Sequence, residues 1–331
     1  VTHNGTSTAS TCTFNLDTYE WLAIIKNTTG AAEKWYWIDT LRGVNKYVSS
    51  DAGTTSTTDS NVLTVSGTTF TLGSTLGAKN YLVEFHKAGL ASATAANEDG
   101  TVNTTDTSAN TLSGFSISRY TSTSTANQTI GHGLDIAPEF VVHKALSQAY
   151  SWAAYHVGLT SAAYKLILDQ TNAQVSDATT FNSTAPTATV NAVGSDSGTW
   201  RQSPVTDYVM YSWHGVEGYS SFGSYEGNGN SDGPFLNMSM DTGMFLMKSI
   251  DAARAWMYQH REFQVNGESN YLVIYATNSL LSTSTREIDM VSTGVKFRGA
   301  DGNLNHAETN IYCAWGGRAL TDGAINQGRA K

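Results

Sequence analysis

Three lysines, each followed at a nearly constant distance by a tryptophan and then by a polar side chain, have the residue types and spacing best suited to chemistry. The tryptophan follows the lysine by nine, eight and eight residues, and the polar residue follows the tryptophan by four in every copy. A lysine can act as a base or nucleophile when burial lowers its pKa, and a histidine can move a proton or bind a metal. The three sets are Lys26, Trp35 and Asp39; Lys144, Trp152 and His156; and Lys248, Trp256 and His260.

The recurrence of this pattern favours a structural role over a catalytic one. A binding site has to be built once, whereas a core is needed in every repeat. We therefore expect each tryptophan to fill the core of its own repeat rather than to stack on a sugar. Each lysine ends a short apolar run typical of a buried strand, so we expect its aliphatic stem to lie over apolar surface with the ammonium in water. The pattern therefore predicts a structural signature.

Flanking segments extend each copy of the signature into a small domain. The signature lysines are 118 and 104 residues apart, too far for a solenoid repeat. Short apolar segments, frequent turn residues and only four prolines predict an all-β chain of three tandem antiparallel β-sandwich, jelly-roll-like units. The expected organisation is a first unit at 1–90, a small polar linker at 91–113, units at 114–217 and 218–318, and a polar tail at 319–331.

Composition excludes several classes of protein. Of 331 residues 14% are charged, against the usual quarter or so, and the net charge is −9. Because no basic block occurs, a nucleic-acid-binding surface is not expected. No apolar run is long enough for a membrane-spanning helix. Cys12 and Cys313 are too few for a disulfide framework and are predicted to be free. The chain begins at Val1 without a methionine or signal peptide, so we expect a further segment to precede it.

The remaining histidines and carboxylates form no recognisable catalytic or metal-binding motif. A zinc site needs three or four converging ligands, and single histidines such as His132, His143 and His214 lack ligand spacing. A glycosidase needs two carboxylates roughly 5–9.5 Å apart, but no motif ties any two together. A nucleophile elbow and a phosphate loop are also absent. We expect no enzyme activity, metal or cofactor. The carboxylates considered for a hydrolytic pair are Asp169, Glu217, Glu226 and Asp232.

Loops that differ between the three units are the remaining candidates for binding. The longest lie at 171–187, 195–206 and 277–290. Trp200 and Arg201 have no counterpart in the other two units. An aromatic residue beside an arginine on a polar loop could contact a glycan or a neighbouring subunit. Ordinary packing of this loop on its own unit is the alternative.

Several longer motifs extend beyond the lysine and tryptophan signature. They are 131–144, 152–156, 213–229 and 231–236, together with 39–50 and 70–73. The first four resemble a domain found in phage tail fibres, particularly those of marine and cyanobacterial phages, and the last two resemble the segment that often precedes this domain. The resemblance spans about residues 21–315. One departure is Asp241-Thr-Gly243 in the third unit, where the second has Ala137-Pro-Glu139 and a turn proline.

This resemblance implies a non-enzymatic receptor-binding protein of the virion that attaches to the host surface. It also implies a homotrimer, linkage to other virion proteins through a preceding N-terminal region, and a host-surface glycan or protein as ligand. The composition and the apolar runs add the expectation of no nucleic-acid partner and no membrane insertion. Two alternatives remain: another virion component, such as a head fibre, decoration or tail-connecting protein, and a glycan-degrading spike.

Overall fold

A computed structural model describes residues 1–263 and 270–316 of the chain, and the regular secondary structure of these residues is almost entirely β-strand. The two helical segments there are single 3-10 turns at Ala91–Ala93 and Arg261–Phe263. The expectation of an all-β fold with antiparallel sheets is confirmed. Within the described ranges no helix is long and apolar enough to cross a membrane. The tail expected at 319–331 lies outside the described residues.

The first unit consists of two three-stranded sheets and a short hairpin. The large sheet, which has the longer strands, has the order β3-β2-β8, and the small sheet has the order β1-β7-β6. The hairpin pairs β4 with β5. The strands are β1 (Thr8–Thr11), β2 (Tyr19–Asn27), β3 (Tyr36–Asp39), β4 (Lys46–Tyr47), β5 (Thr57–Thr58), β6 (Leu63–Ser66), β7 (Thr69–Leu72) and β8 (Tyr81–Leu90).

The second unit has a seven-stranded sheet of order β15-β14-β13-β12-β17-β10-β9 and a two-stranded sheet, β11-β16. Its edge strand β9 belongs to the segment predicted as a linker. The strands are β9 (Asp106–Asn110), β10 (Phe115–Thr121), β11 (Gln128–Gly131), β12 (Phe140–Ala145), β13 (Ala153–His156), β14 (Tyr164–Ile167), β15 (Val175–Ser176), β16 (Val190–Val193) and β17 (Asp207–Trp213).

The third unit repeats this order, with a six-stranded sheet β18-β26-β20-β21-β22-β23 and a three-stranded sheet β19-β25-β24. Signature strand β20 lies between β26 and β21, as β12 lies between β17 and β13. The strands are β18 (Ser220–Glu226), β19 (Phe235–Asn237), β20 (Thr242–Ser249), β21 (Met257–His260), β22 (Asn270–Val273), β23 (Leu281–Ser282), β24 (Ile288–Val291), β25 (Gly294–Phe297) and β26 (Thr309–Gly316).

The signature strands β2, β12 and β20 are buried on both faces. Side chains alternate between the faces of a strand, so each strand contributes to two packing layers. In β2, Trp21 and Ile25 pack towards the small sheet of the first unit, in a cluster that includes Phe70. In the same strand, Leu22 and Ile24 face the other way, into a cluster shared by all three units. The three units are therefore packed against one another through the second face of their large sheets.

We call this shared cluster the central core. It receives buried apolar side chains from every unit, and the core of the second unit is continuous with it. Separate outer clusters lie beneath the small sheets of the first and third units. Its members include Leu22, Trp35 and Trp37 from the first unit, Phe140, Trp152 and Trp213 from the second, and Leu246, Trp256 and Trp315 from the third.

Candidate functional site

The signature tryptophans lie at the contacts between units rather than inside separate cores. Trp35, Trp152 and Trp256 are fully buried in the central core. The expectation that each fills the core of its own unit is therefore corrected. These tryptophans directly precede β3, β13 and β21, which are buried on both faces, so the pattern of apolar residues cannot tell a side chain in the core of its own unit from one that faces a neighbouring unit.

Each tryptophan donates a hydrogen bond from Nε1 to a backbone carbonyl of the preceding unit. For the first unit the acceptor lies in the third, so the three bonds form a ring. Trp152 donates to Ser49 of the first unit at 2.9 Å. Trp256 donates to Ile167 of the second unit at 3.0 Å. Trp35 of the first unit donates to Val273 of the third unit at 3.1 Å.

The three accepting residues occupy equivalent positions, because each stands opposite the residue that follows its own unit's signature tryptophan. Met257 pairs with Val273, and Ala153 pairs with Ile167. In the first unit the antiparallel bridge between Trp37 and Val48 places the residue that follows Trp35 opposite Ser49, which is the same register. The units therefore form a closed three-unit arrangement with approximate threefold symmetry.

The signature lysines are buried, in contrast to the expectation of a solvent-facing ammonium. Lys26, Lys144 and Lys248 are 0% exposed. Lys248 donates to the carbonyl of Ser249 at 2.7 Å, and Lys144 donates to that of Tyr150. Burial lowers the pKa of Lys26 and of Lys144 to about 8 and that of Lys248 to about 7.

These lysines act as hydrogen-bond donors to backbone carbonyls. Lys26 shows how this links units, because it donates to the carbonyls of Glu33 in its own unit and of Thr277 in the third, the latter at 2.7 Å. The Lys26 and Lys144 ammonium groups also lie 5.8 Å from the ring centroids of Trp35 and Trp152. Lys26 therefore belongs to a junction between units, whereas the hydrogen bonds of Lys144 and Lys248 lie within their own units.

The polar residue that ends each signature contacts the closing strand of the following unit. Asp39 accepts a hydrogen bond from Tyr211 in β17 at 2.7 Å. His156 bonds through Nε2 to the carbonyl of Tyr312 in β26 at 3.0 Å. In the third unit the corresponding residue, His260, lies 3.6 Å from a β8 carboxylate of the first unit. Each unit is thus joined to one neighbour by its tryptophan and to the other by this polar residue.

Aromatic side chains from the three closing strands meet at the centre of the arrangement. His86, Trp213 and Trp315 hold equivalent positions, since they pair with Leu22, Phe140 and Met244, each four residues before a signature lysine. Their ring centroids are 5.5, 5.6 and 6.2 Å apart. Burial lowers the pKa of His86 to about 4, so this histidine is neutral near pH 7. The three rings therefore form an uncharged axial cluster.

The junction between the third and first units carries a buried carboxyl group. Glu84 accepts a hydrogen bond from Tyr258, and burial raises the pKa of Glu84 to about 7. Burial lowers the pKa of His260 to about 4, so its contact with Glu84 is not a fully charged ion pair near pH 7. A cavity of about 210 Å³ adjoins these groups, with Arg261 and Trp315 also in its wall.

The junction between the first and second units has a different chemistry, an arginine buried with its carboxylate. Arg42 is 5% exposed and forms an ion pair with Asp39. Its Nη2 also donates to the carbonyl of Trp37 at 2.8 Å and to the hydroxyl of Tyr211 at 3.1 Å. Positions equivalent to Arg42 in the other units are apolar and buried, namely Leu159 and Phe263.

The predicted ligand-contact pair separates into one buried and one exposed residue. Trp200 is 0% exposed and packs inside the second unit, 6.1 Å from the ring of Tyr120 in a stacked arrangement. Its ring therefore presents no face to a ligand. Arg201 is exposed, and its guanidinium lies 6.0 Å from the ring centroid of Tyr150. Arg201 alone of the two stays available for a surface contact.

The carboxylates considered for a hydrolytic pair have separate structural surroundings. Asp169 accepts a hydrogen bond from the backbone of Trp152, Glu226 accepts one from Thr309, and Asp232 forms an ion pair with Lys296. Glu217 is exposed. Within 1–263 and 270–316, no three His, Cys, Asp or Glu side chains converge as metal ligands. Both cysteines are free, Cys12 half-buried and Cys313 buried.

Sequence reasoning missed the two least repeated residues of the junctions, His86 and Arg42. The alignment of the three signatures contained the signal for both. When this alignment is extended, Arg42 aligns with Leu159 and Phe263, and His86 aligns with Trp213 and Trp315. A polar residue where repeats otherwise have apolar ones marks a junction with its own chemistry.

The comparison with protein families agrees with one continuous architecture. No curated protein and no solved structure matches the chain. One family, a domain of unknown function designated DUF7483, matches residues 1–318. This match includes all three units, the linker and every signature residue, and the chain therefore belongs to the DUF7483 family.

Proposed function

We propose that this protein is a non-enzymatic attachment protein of a phage virion, which binds the host surface through its non-repeated loops and clefts. The observation that supports it is the use of the repeated residues. The tryptophan and the following polar residue of every unit join it to its neighbours, and Lys26 also bonds to the third unit. The residues left for recognition are the variable ones on the loops of this β-scaffold, where binding residues commonly lie.

The proposal extends to the assembly in which the protein acts. The resemblance to tail fibres supports a homotrimer linked to other virion proteins at the N-terminal side, in the tail or another external appendage. Native mass spectrometry measures this directly, because a trimer has three times the mass of the 35.5 kDa chain. A predominant species with the mass of a single chain, at a protein concentration comparable to that in the virion, would contradict the trimer.

Attachment is tested with the purified chain and intact cells. Labelled protein is incubated with a panel of marine bacterial and cyanobacterial cells, and bound label is measured by flow cytometry. We expect saturable binding to a subset of strains and competition by unlabelled protein. Binding to no strain would remove the attachment function.

A second measurement separates attachment from a purely structural role. Mass spectrometry of purified particles reports whether the chain is part of the virion. Presence in particles without cell binding would favour the alternative of a head-fibre, decoration or tail-connecting protein. Shortening of host polysaccharide by the purified chain would instead support a glycan-degrading spike and contradict the non-enzymatic assignment.

A further inference from the structure

A polar cleft of about 350 Å³ lies between the first and second units. Its volume falls in the lower part of the range of small-molecule sites, roughly 300–1,000 Å³. The first unit contributes Arg42, Lys46 and Ser56 to the wall, and the second contributes Arg119 and Asp207. The cleft is therefore formed only when the two units are joined.

Two buried polar atoms of these wall residues have no hydrogen-bond partner. They are Nη1 of Arg42 and Oγ of Ser56. Nε of Arg42 bonds to Asp39, and its Nη2 bonds to Trp37 and Tyr211. Nη1 is therefore the one guanidinium nitrogen of Arg42 without a partner. Leaving a buried donor unpaired costs stability, so its presence in a cleft wall is consistent with a ligand that completes it.

The charges in the cleft favour a ligand with a single negative charge. Arg42 and Arg119 already have carboxylate partners, Asp39 and Asp106. Lys46 is exposed and forms no ion pair or side-chain hydrogen bond with the described part of the chain. One further carboxylate, on Asp207, stands in the same wall. Its negative charge opposes polyanions such as nucleotides, whereas the unpaired ammonium attracts one carboxylate group.

The remaining groups of the wall suit a ligand with many hydroxyls. Thr105, Thr121 and Ser147 line the cleft together with Ser56, and each carries a hydroxyl that can donate or accept. Asp207 is a further acceptor for a ligand hydroxyl, and its carboxylate already accepts a bond from Thr121 at 2.6 Å. A hydroxyl-rich wall around a cationic pole matches a sugar that bears a carboxylate.

We propose that this cleft binds an acidic monosaccharide unit, with the sugar carboxylate held by Lys46 and Nη1 of Arg42 and the sugar hydroxyls held by the serine and threonine side chains. The inference deepens the proposed attachment function and rests on it for its biological role, with a carboxylated glycan of the host surface as the source. The other two junctions lack this site, because Leu159 and Phe263 stand where Arg42 does.

Isothermal titration and ligand-observed NMR with the full chain test the site. D-glucuronate is the probe, D-glucose is its neutral counterpart, and inorganic phosphate is an anion without a sugar ring. We expect saturable binding of glucuronate, with glucose and phosphate at least about tenfold weaker, since each lacks one of the two sets of contacts. Equal binding of glucose would overturn the role of the cations, and equal binding of phosphate would overturn the saccharide assignment.

A pair of lysine variants locates the binding. Lys46→Gln removes the unpaired ammonium from the cleft and should weaken glucuronate binding roughly fivefold, the contribution of one partly exposed ion pair. Lys34→Gln makes the same charge change in the same unit, but Lys34 bonds to Tyr47 and does not line the cleft. It should leave binding unchanged. Equal effects of both variants, or no effect of Lys46→Gln, would contradict the site.

A double variant removes the arginine without leaving a buried charge behind. Asp39→His with Arg42→Leu gives the first unit the pair that the second unit has naturally, His156 and Leu159. We expect this variant to fold, as measured by circular dichroism, and to lose glucuronate binding. Glucuronate binding at wild-type strength in the folded double variant would overturn the role of Arg42.

Cell binding with the same variants separates this site from the general proposal. Wild-type protein that binds glucuronate but no cells would refute attachment and leave the cleft standing. Cell binding that is equal for wild type, Lys46→Gln and the double variant, together with no binding of glucuronate, would refute the cleft and leave attachment standing.

Discussion

Replacing Trp152 by phenylalanine measures how much a signature tryptophan contributes to the junction between units. Trp152 is 0% exposed and donates from Nε1 to the carbonyls of Ser49 and Ala52, at 2.9 and 3.3 Å. Phenylalanine keeps most of the apolar contact but leaves these carbonyls without their donor. A buried polar group left unpaired costs about 1–3 kcal/mol, in addition to the packing lost with the smaller ring.

Trp200→Phe is the matched control. Trp200 is also 0% exposed, but its Nε1 has no hydrogen-bond partner. The same substitution there loses a similar amount of packing and removes an unpaired buried donor rather than a bond. We therefore expect Trp152→Phe to lower the free energy of unfolding by about 1–3 kcal/mol more than Trp200→Phe does.

Urea unfolding followed by far-UV circular dichroism gives the two free energies. Hydrogen exchange with mass spectrometry reports where the protein has loosened. We expect faster exchange in peptides covering residues 46–56 for Trp152→Phe only, because those residues supply the accepting carbonyls. Equal destabilisation by the two variants, or unchanged exchange in 46–56, would refute the assignment of the signature tryptophan to the junction.

Three further predictions concern buried charge. Arg42→Leu alone should destabilise the protein by about 3–5 kcal/mol, because it leaves Asp39 buried without its partner, and the added Asp39→His change should recover most of that loss in urea unfolding. Burial lowers the pKa of His143 to about 3, so its contribution to stability is present above pH 6.5 and is lost as the pH falls towards 3. His143→Gln should therefore reduce the dependence of the free energy of unfolding on pH in that window. Burial lowers the pKa of Lys248 from 10.5 to about 7. Between these two pH values the unfolded chain binds more protons than the folded chain, so the free energy of unfolding should rise with pH. Lys248→Met should reduce this rise.

The sequence was sufficient to predict the all-β class and the signature strands, because both depend on local pattern. Apolar runs bounded by turn residues correctly indicated β2, β12 and β20. The spacing of lysine and tryptophan correctly marked equivalent positions, as the shared hydrogen-bond pattern of Trp35, Trp152 and Trp256 shows.

The positions of the signature side chains relative to other units could not be predicted in the same way. Lys26 ends an apolar run, which normally indicates a side chain that reaches solvent, yet one of its acceptors is Thr277, 251 residues away. A contact over that distance depends on how the units pack, and local pattern carries no information about it. The pattern could not decide between a ligand contact and ordinary packing for Trp200 for a related reason, since its loop is polar but its ring stacks on Tyr120.

The contacts between the third unit and the first limit this architecture to three repeats. In a solenoid each repeat contacts only its sequence neighbours, so copies can be added at either end. Here the contacts of Trp35 with Val273 and of Lys26 with Thr277 close the series after three. A fourth copy would have to separate these residues and change the angle between every pair of units, and deletion of one copy would expose two apolar faces at once. Duplication and loss of repeats are therefore both disfavoured, and variation in length is confined to the loops.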